Sequence, residues 1–354
     1  MTLPLLSLSS RTFGADYTES FHRIGFGAVT DHGVPYDLIH ATEEEVRKFF
    51  EMAQSFKAQF PSDPVTEVGW VGKSGSTLGK KVDLKEFMVN RPFMSGVTLP
   101  TAPHFDLSIL NQYAAEQQRV GLEIVSRIEP VVSQHAPQFK NIAASLRDST
   151  PTTQRVNYFP AYRQEDDDGS VPAAGHRDLG FLTILSPARE QGLWACDRTH
   201  DRTSALKEEN HNYIPAFNPA EDQHFFVTNI GEVCSLFTGG SYDFVTGQVN
   251  PDGYLPATWH GVDKLKRSNA SAARISIPMF MHLKPETPLV RISEEQLNAV
   301  ASDPRLKEEM FAKHRATILK TVEVCREHDR FLLAGMLVWN RLVRHGTGKA
   351  LELS

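Results

Sequence analysis

Cysteine is scarce in this 354-residue chain: Cys196, Cys234 and Cys325 are too few and too scattered for a disulfide framework or a thiolate zinc site. Such usage fits a reducing compartment, and a cytoplasmic protein is expected. No apolar run approaches the ~18 residues of a membrane span. Met1 to Ser10 holds a short apolar stretch with no basic segment before it, which argues against a secretory signal. Positive charge is not in excess either. A formal net charge of −6 supplies no field for nucleic acid or an anionic membrane surface. Repeats and low-complexity tracts are missing, and so is the His-Glu-x-x-His segment of zinc hydrolases. Nothing signals an obligate protein partner.

What is present describes a soluble globular protein with a substantial core: 40% hydrophobic and 23% charged residues. Leu3–Leu8 and Gly25–Thr30 read as strands, the second closed by the Asp31-His32-Gly33 turn. Apolar residues at helical spacing predict one amphipathic helix over Tyr36–Phe60 and the longest helix over Leu107–His135. Between them, Pro61–Pro103 is loop-dominated, with a short strand at Asp83–Val89. After Pro151, short β-rich runs follow one another: Gln154–Phe159, Gly180–Leu185, Leu193–Cys196, Phe225–Ile230, Val233–Phe237 and Ala272–Phe280. Many short strands spaced by turns predict a sandwich, barrel or jelly roll. Glu165–Gly169 reads as a solvated hairpin loop. From Ser293 the pattern is helical again, with Ile318, Val322, Cys325, Phe331, Leu332 and Leu337 inward. The expectation is a mainly β fold with flanking helices in one compact unit: an N-terminal region 1–150, a β core 151–290 and C-terminal helices 291–354.

The chemistry is concentrated in Gly175-His176-Arg177-Asp178-Leu179-Gly180. Side chains at i and i+2 of a strand share a face, so His176 and Asp178 are expected to converge on one ion. A second imidazole, His260, follows in another short strand. Two His and one carboxylate with positions left open suit non-haem Fe(II), leaving room for a bidentate α-keto acid and O2. Arg274 and Ser276 likewise share a face within an apolar run. A guanidinium there needs an anion, and its planar fork fits a carboxylate. Asn157, Tyr158 and Phe159 lie on a strand ending at Pro160, where packing and ligand contact are both open readings.

In order along the chain, these residues carry a resemblance. Gly25–Val34 resembles "GFFxVxNHGV"; Phe49-Phe50, Lys57, Gly69-Trp70 and Asp83-x-Lys85-Glu86 follow. Asn157–Pro160 resembles "NYYP", Gly175–Leu185 "GxHTDxGxLTLL", Ile230–Gly240 "xxGDxLxxxTNG", His260-Gly261-Val262 "HRV", and Arg274-x-Ser276 "RxS". The chain is thereby similar to the Fe(II)/2-oxoglutarate-dependent oxygenases of the isopenicillin N synthase-like superfamily. The resemblance implies a double-stranded β-helix (jelly-roll, cupin-like) core with His176, Asp178 and His260 as iron ligands. Arg274, Ser276 and Asn157 would bind 2-oxoglutarate, and O2 would be the second co-substrate.

Departures from the pattern matter too. Phe159 stands where many members have Tyr, which puts more weight on Arg274 and Ser276. Arg177 stands where Thr is common; it is either a salt-bridged residue or a contact for an anionic substrate, beside Tyr158 and Phe159. Gly261 replaces a frequent Arg. Ser241–Pro256 is longer than usual and is expected beside the mouth of the site.

The resemblance implies oxidation of a small molecule, by hydroxylation, desaturation or cyclisation, with release of succinate and CO2. That is chemistry of the kind used in natural product biosynthesis. One alternative is an oxidase of the isopenicillin N synthase type, needing no keto acid, in which Arg274 and Ser276 hold a substrate carboxylate. Another is a non-enzymatic binder on the same fold. Lys73, Lys80, Lys81 and Arg91 would favour a carboxylate-bearing substrate if they line the pocket.

Overall fold

The computed structural model describes residues 3–72, 85–160, 173–189, 192–196, 202–215, 224–250, 253–263, 273–312 and 314–338. Asp83, the acidic run 165–169 and Lys73, Lys80 and Lys81 lie outside them. Strands β1 (Leu5–Ser7), β2 (Phe26–Thr30), β3 (Gly69–Val71) and β4 (Glu86–Asn90) come from the N-terminal region. The core adds β5 (Thr153–Phe159), β6 (Ala173–His176), β7 (Leu182–Leu185), β8 (Leu193–Ala195), β9 (Asn212–Tyr213), β10 (Phe226–Ile230), β11 (His260–Val262), β12 (Arg274–Ser276) and β13 (Met279–Met281). A nine-stranded sheet runs β1-β2-β10-β7-β13-β5-β4-β3, with β12 also on β5. A four-stranded sheet runs β9-β8-β11-β6.

From β5 to β12 the chain passes back and forth between the two sheets, with β8 and β9 successive in the small one, which is the winding of a jelly roll. N-terminal strands extend the large sheet at both ends, so region 1–150 shares hydrogen bonds with the core. Pro278 interrupts the run Ala272–Phe280 without a slip: Ser276 faces Asn157, Met279 faces Gln154, and the Arg155 N–H donates to Pro278 O at 2.9 Å.

Period-two alternation sorts the large sheet into two faces. Val156, Ile184, Phe226 and Met279 face outward into the main core, beneath α1 (Phe13–Ile24) and the long α3 (Ile109–Val132). Gln117 of α3 donates to Ile184 O and Ile277 O, satisfying carbonyls that the helix covers. The other face looks between the sheets. There Phe26, Ala28, Leu185 and Val227 meet Ala195 of the small sheet, and Phe159 meets Ala173 and Val262.

Helix α1 is not anticipated by the sequence reading, although Phe13, Tyr17 and Phe21 recur every fourth residue and are fully buried. Its end is fixed by Gly25, left-handed at φ 69°, whose N–H returns to Phe21 O. The helix predicted over Tyr36–Phe60 is corrected: α2 is Tyr36–Phe50, and a separate turn covers Gln54–Lys57. The break lets Lys57 fold back to Phe50 O and to Glu86.

Val233–Phe237, expected as a strand, is a helix, α4 (Glu232–Phe237). Every residue of it is buried, so periodicity carried no signal there. Beyond Ser293, α5 (Glu294–Ser302) and α6 (Arg315–Glu327) are helices as read. Phe331–Leu333, however, pairs with Pro288–Arg291 as a hairpin-like ribbon. Among the described residues, no helix is long and apolar enough to cross a membrane.

Candidate active site

His176 ends β6 and His260 begins β11, and the two are direct partners in the antiparallel ladder. Their rings are 4.5 Å apart, centre to centre. Asp178 does not share their strand. The expectation that His176 and Asp178 converge as i and i+2 of one strand is corrected: the chain leaves the small sheet after His176 and carries Asp178 on the crossing toward β7. The crossing is fastened by the Glu232 N–H at the start of α4, which donates to Asp178 O at 2.7 Å. Convergence survives because the loop is held, with Asp178 Oδ1 3.5 Å from His176 Nε2 and 3.6 Å from His260 Nε2.

Each group's remaining polar atom is already bonded. A carbonyl only accepts, so the Nδ1–H groups of His176 and His260 donate to Ala174 O (2.9 Å) and Thr258 O (3.1 Å). That tautomer leaves both Nε2 lone pairs facing inward. Asp178 Oδ2 accepts from Thr183 Oγ1 at 2.6 Å and Asn229 Nδ2 at 2.7 Å, leaving Oδ1 for the centre. Thr183 and Asn229 are cross-strand partners in the large sheet. Burial by itself would raise the Asp178 carboxyl. The charge and hydrogen bonds of His260 and His176 more than offset it, holding the group well below the usual carboxylate range. Burial likewise opposes the His260 imidazolium, but Asp178 raises it above its ordinary value.

Three ligand atoms lie within 4.8 Å of one another, and this is the one such group among the described residues. Two imidazole nitrogens and a carboxylate oxygen, each braced from behind, fit Fe(II) with open positions. Asp178 and His260 are buried, whereas the His176 side chain is 42% exposed and marks the entry side.

On the inner face of the large sheet, Arg274 pairs with Phe159 and Ser276 with Asn157. The Arg274 guanidinium lies 5.1 Å over the Phe159 ring. Arg274 and Ser276 are both buried, and the buried Asn157 Oδ1 has no hydrogen-bond partner among the described residues. A buried guanidinium beside a buried hydroxyl, with the Asn157 amide on the same strand face able to donate from Nδ2, fits the carboxylate of a keto acid.

Tyr158 is corrected. Its odd register turns it to the opposite face, where it stacks on Phe50 at 5.1 Å, so it is a core residue. Arg177 is tied to Glu232 at 3.0 Å and to Val249 O at 2.9 Å, and lies 5.1 Å over Trp259. It braces the ligand crossing. Arg91 pairs with Glu67 at 2.6 Å and serves the loop. The extra segment 241–256 packs through Tyr254, which is stacked on His135 at 4.0 Å.

Sequence reading missed Arg155. It shares the inner face of β5 with Asn157 and lies 4.7 Å over Phe87 and 5.8 Å over Phe280. The signal available was its i−2 spacing from Asn157. The absence of Arg at Gly261 also has a cause: a Cβ there would sit 2.6 Å from the Trp194 ring.

Two family models match this chain in succession: the non-haem dioxygenase in morphine synthesis N-terminal model over residues 3–95, and the 2OG-Fe(II) oxygenase superfamily model over residues 151–283. The chain belongs to the 2OG-Fe(II) oxygenase superfamily. Among curated relatives of this superfamily, jasmonate-induced oxygenase 2 of Arabidopsis thaliana is 23% identical over 298 residues, 81% of this chain and 69% of its own length. Flavonol synthase 1 of Crocosmia x crocosmiiflora is 23% identical over 64% of each chain. A full-length Neurospora crassa protein solved in complex with alpha-KG shares the fold at TM-score 0.66 and 18% identity, covering 96% of both chains. JOX2 in complex with 2OG, Fe and JA follows at TM-score 0.63 and 19% identity, over 84% of this chain and 80% of that one. These neighbours carry the double-stranded β-helix core expected here.

Proposed function

We propose that this 2OG-Fe(II) oxygenase oxidises a small carboxylate-bearing molecule, with iron held by His176, Asp178 and His260. One observation supports it above the others: three ligand atoms face one another while every other polar atom of the triad is bonded elsewhere. Fe(II) with 2-oxoglutarate supplies O2 activation, and the co-substrate leaves as succinate and CO2.

This chain's residues bind, orient and exclude water. Arg274 takes the distal carboxylate of the keto acid in its planar fork, Ser276 adds a hydroxyl, and the Asn157 amide closes the shell. Phe159 beneath the guanidinium, with Ala173 and Val262, keeps that end dry. Arg155, framed by Phe87 and Phe280, meets the carboxylate of the substrate. Among relatives, JOX2 is seen with JA, and the plant homologues include a mugineic-acid dioxygenase, which supports an acidic substrate class.

Substrate-dependent succinate formation across a panel of metabolites, read by mass spectrometry, tests the reading. His176→Ala and Asp178→Ala should abolish it, and retained turnover in either purified variant refutes the metal assignment. O2 uptake that is independent of 2-oxoglutarate would favour the oxidase reading, with Arg274 and Ser276 on the substrate.

A further inference from the structure

The outer face of the small sheet holds a group of side chains that the oxygenase reading leaves unused. Trp194 of β8 is buried and lies directly opposite Gly261, the residue after the ligand His260. A Cβ at Gly261 would be 2.6 Å from its indole and one at Gly175, the residue before the ligand His176, 3.0 Å. The indole therefore lies flat on the two strands that carry the metal-binding imidazoles, one sheet thickness behind them. On its other edge Tyr213 is its cross-strand partner, with Cβ atoms roughly 5 Å apart in such pairs. The Tyr213 hydroxyl donates to Asp263 Oδ2 at 2.6 Å. His211 stacks on the indole at 3.7 Å and steadies the same carboxylate oxygen at 2.9 Å.

We propose that Trp194 and Tyr213 form a one-electron escape route, draining oxidising power from the metal when O2 is consumed without substrate. The proposal rests on the metal assignment above. Loaded with Fe(II) and 2-oxoglutarate and consuming O2 without substrate, the centre would supply a strong one-electron oxidant. The Trp194 indole would lose one electron to it, with a solvent proton entering past the exposed His176 side chain to balance the charge. The buried indole Nε1 has no partner among the described residues, so none of them accepts its proton and the electron vacancy passes on. Tyr213 refills the indole with one electron and gives its phenolic proton along the short bond to Asp263. A thiol or ascorbate from solution then returns an electron to the half-exposed Tyr213, the proton held on Asp263 goes back to the phenolic oxygen, and the donor's own proton is left in solvent. The imidazoles, the buried Cys196 and the apolar interior are thereby spared self-oxidation.

Freeze-quench electron paramagnetic resonance tests it. Protein loaded with Fe(II) and 2-oxoglutarate is mixed with O2 and no substrate. A tyrosyl resonance is expected whose hyperfine pattern collapses when ring-deuterated tyrosine is incorporated. Tyr213→Phe should lose it, inactivate several-fold faster and gain one-oxygen mass additions on barrel-interior peptides, with the initial rate of succinate release unchanged. Trp194→Phe, which keeps the phenol, should lower the radical yield. An undiminished signal in Tyr213→Phe overturns the route, as does wild-type protein that releases succinate but forms no radical. Failure to release succinate under any condition overturns the oxygenase reading itself, and the route with it.

Discussion

Thr183 offers the most direct measurement of how the fold prepares its metal ligand. Its hydroxyl donates to Asp178 Oδ2 at 2.6 Å inside a buried site, and Asn229 supplies a second bond to that oxygen. Thr183→Val keeps the volume and the β-branched shape that β7 needs, and removes one charge-assisted donor. Such a bond contributes about 1.5–3 kcal/mol, equivalent to roughly 10–100-fold in affinity. The range agrees with the usual cost of losing an outer partner of a ligating carboxylate. Anaerobic calorimetric titration with Fe(II), or with Mn(II) as a redox-silent reporter, should show that loss. Saturating iron should recover most turnover, because no ligand atom is removed. Combining Thr183→Val with Asn229→Ala should cost less than or more than the sum of the two, as expected of donors sharing one oxygen. Metal affinity unchanged in both single variants would refute the claim that the large sheet orients Asp178.

Lys57→Met should cost about 3–5 kcal/mol in urea denaturation, since Glu86 would keep its largely buried charge without the ammonium 2.6 Å away; a loss below about 1 kcal/mol would mean the pair behaves as a surface bridge. Gly261→Ala should destabilise by about 1–3 kcal/mol through overpacking against the Trp194 ring, and shift tryptophan fluorescence. A silent substitution would show that the indole moves freely. His32 Nε2 and His224 Nδ1 share one proton at 2.9 Å, while the Val34 N–H donates to His32 Nδ1. Burial, aided at His32 by the neighbouring His224, pushes each down to about 4 from 6.5. Above pH 6.5 neither the folded nor the unfolded chain protonates them and stability is full. As pH falls from 6.5 through about 4 only the unfolded chain takes up these protons, and stability drops, by about 3 kcal/mol for the pair after discounting partial exposure. Melting temperatures across that window should fall less steeply in a His32→Asn, His224→Gln double variant; parallel slopes would remove the pair from the account.

Much of the site was legible because its residues sit in short ordered motifs, and two of those motifs now have plain structural causes. Lys57, Trp70 and Glu86, separate along the chain, meet in one buried knot: Lys57 Nζ and Trp70 Nε1 both donate to Glu86 Oε2. Arg177 and Glu232 meet as well, on either side of the Asp178 carbonyl. Local pattern failed where tertiary context decides. Asp178 takes its position from a backbone bond to α4, a contact between segments far apart in sequence. Buried α4 has no polar face to betray its period. Tyr158 was misplaced for a simpler reason: its face follows from alternation with Asn157, and the ring belongs to the helix-covered side.

Because His176 and His260 are ladder partners, their separation is set by main-chain hydrogen bonds that any side chains of suitable volume can maintain. Asp178 is positioned by a peptide N–H, that of Glu232, and by two neutral side-chain donors. The coordinates of the metal are thus written largely in backbone pairing, with Thr183 and Asn229 as the side chains that the ligand carboxylate still requires. A chain of this fold can therefore change much of the chamber wall while the two imidazoles keep their spacing. Slippage by one residue along β6 or β11 would turn an imidazole out of the barrel, so insertions there are the changes such a lineage cannot absorb.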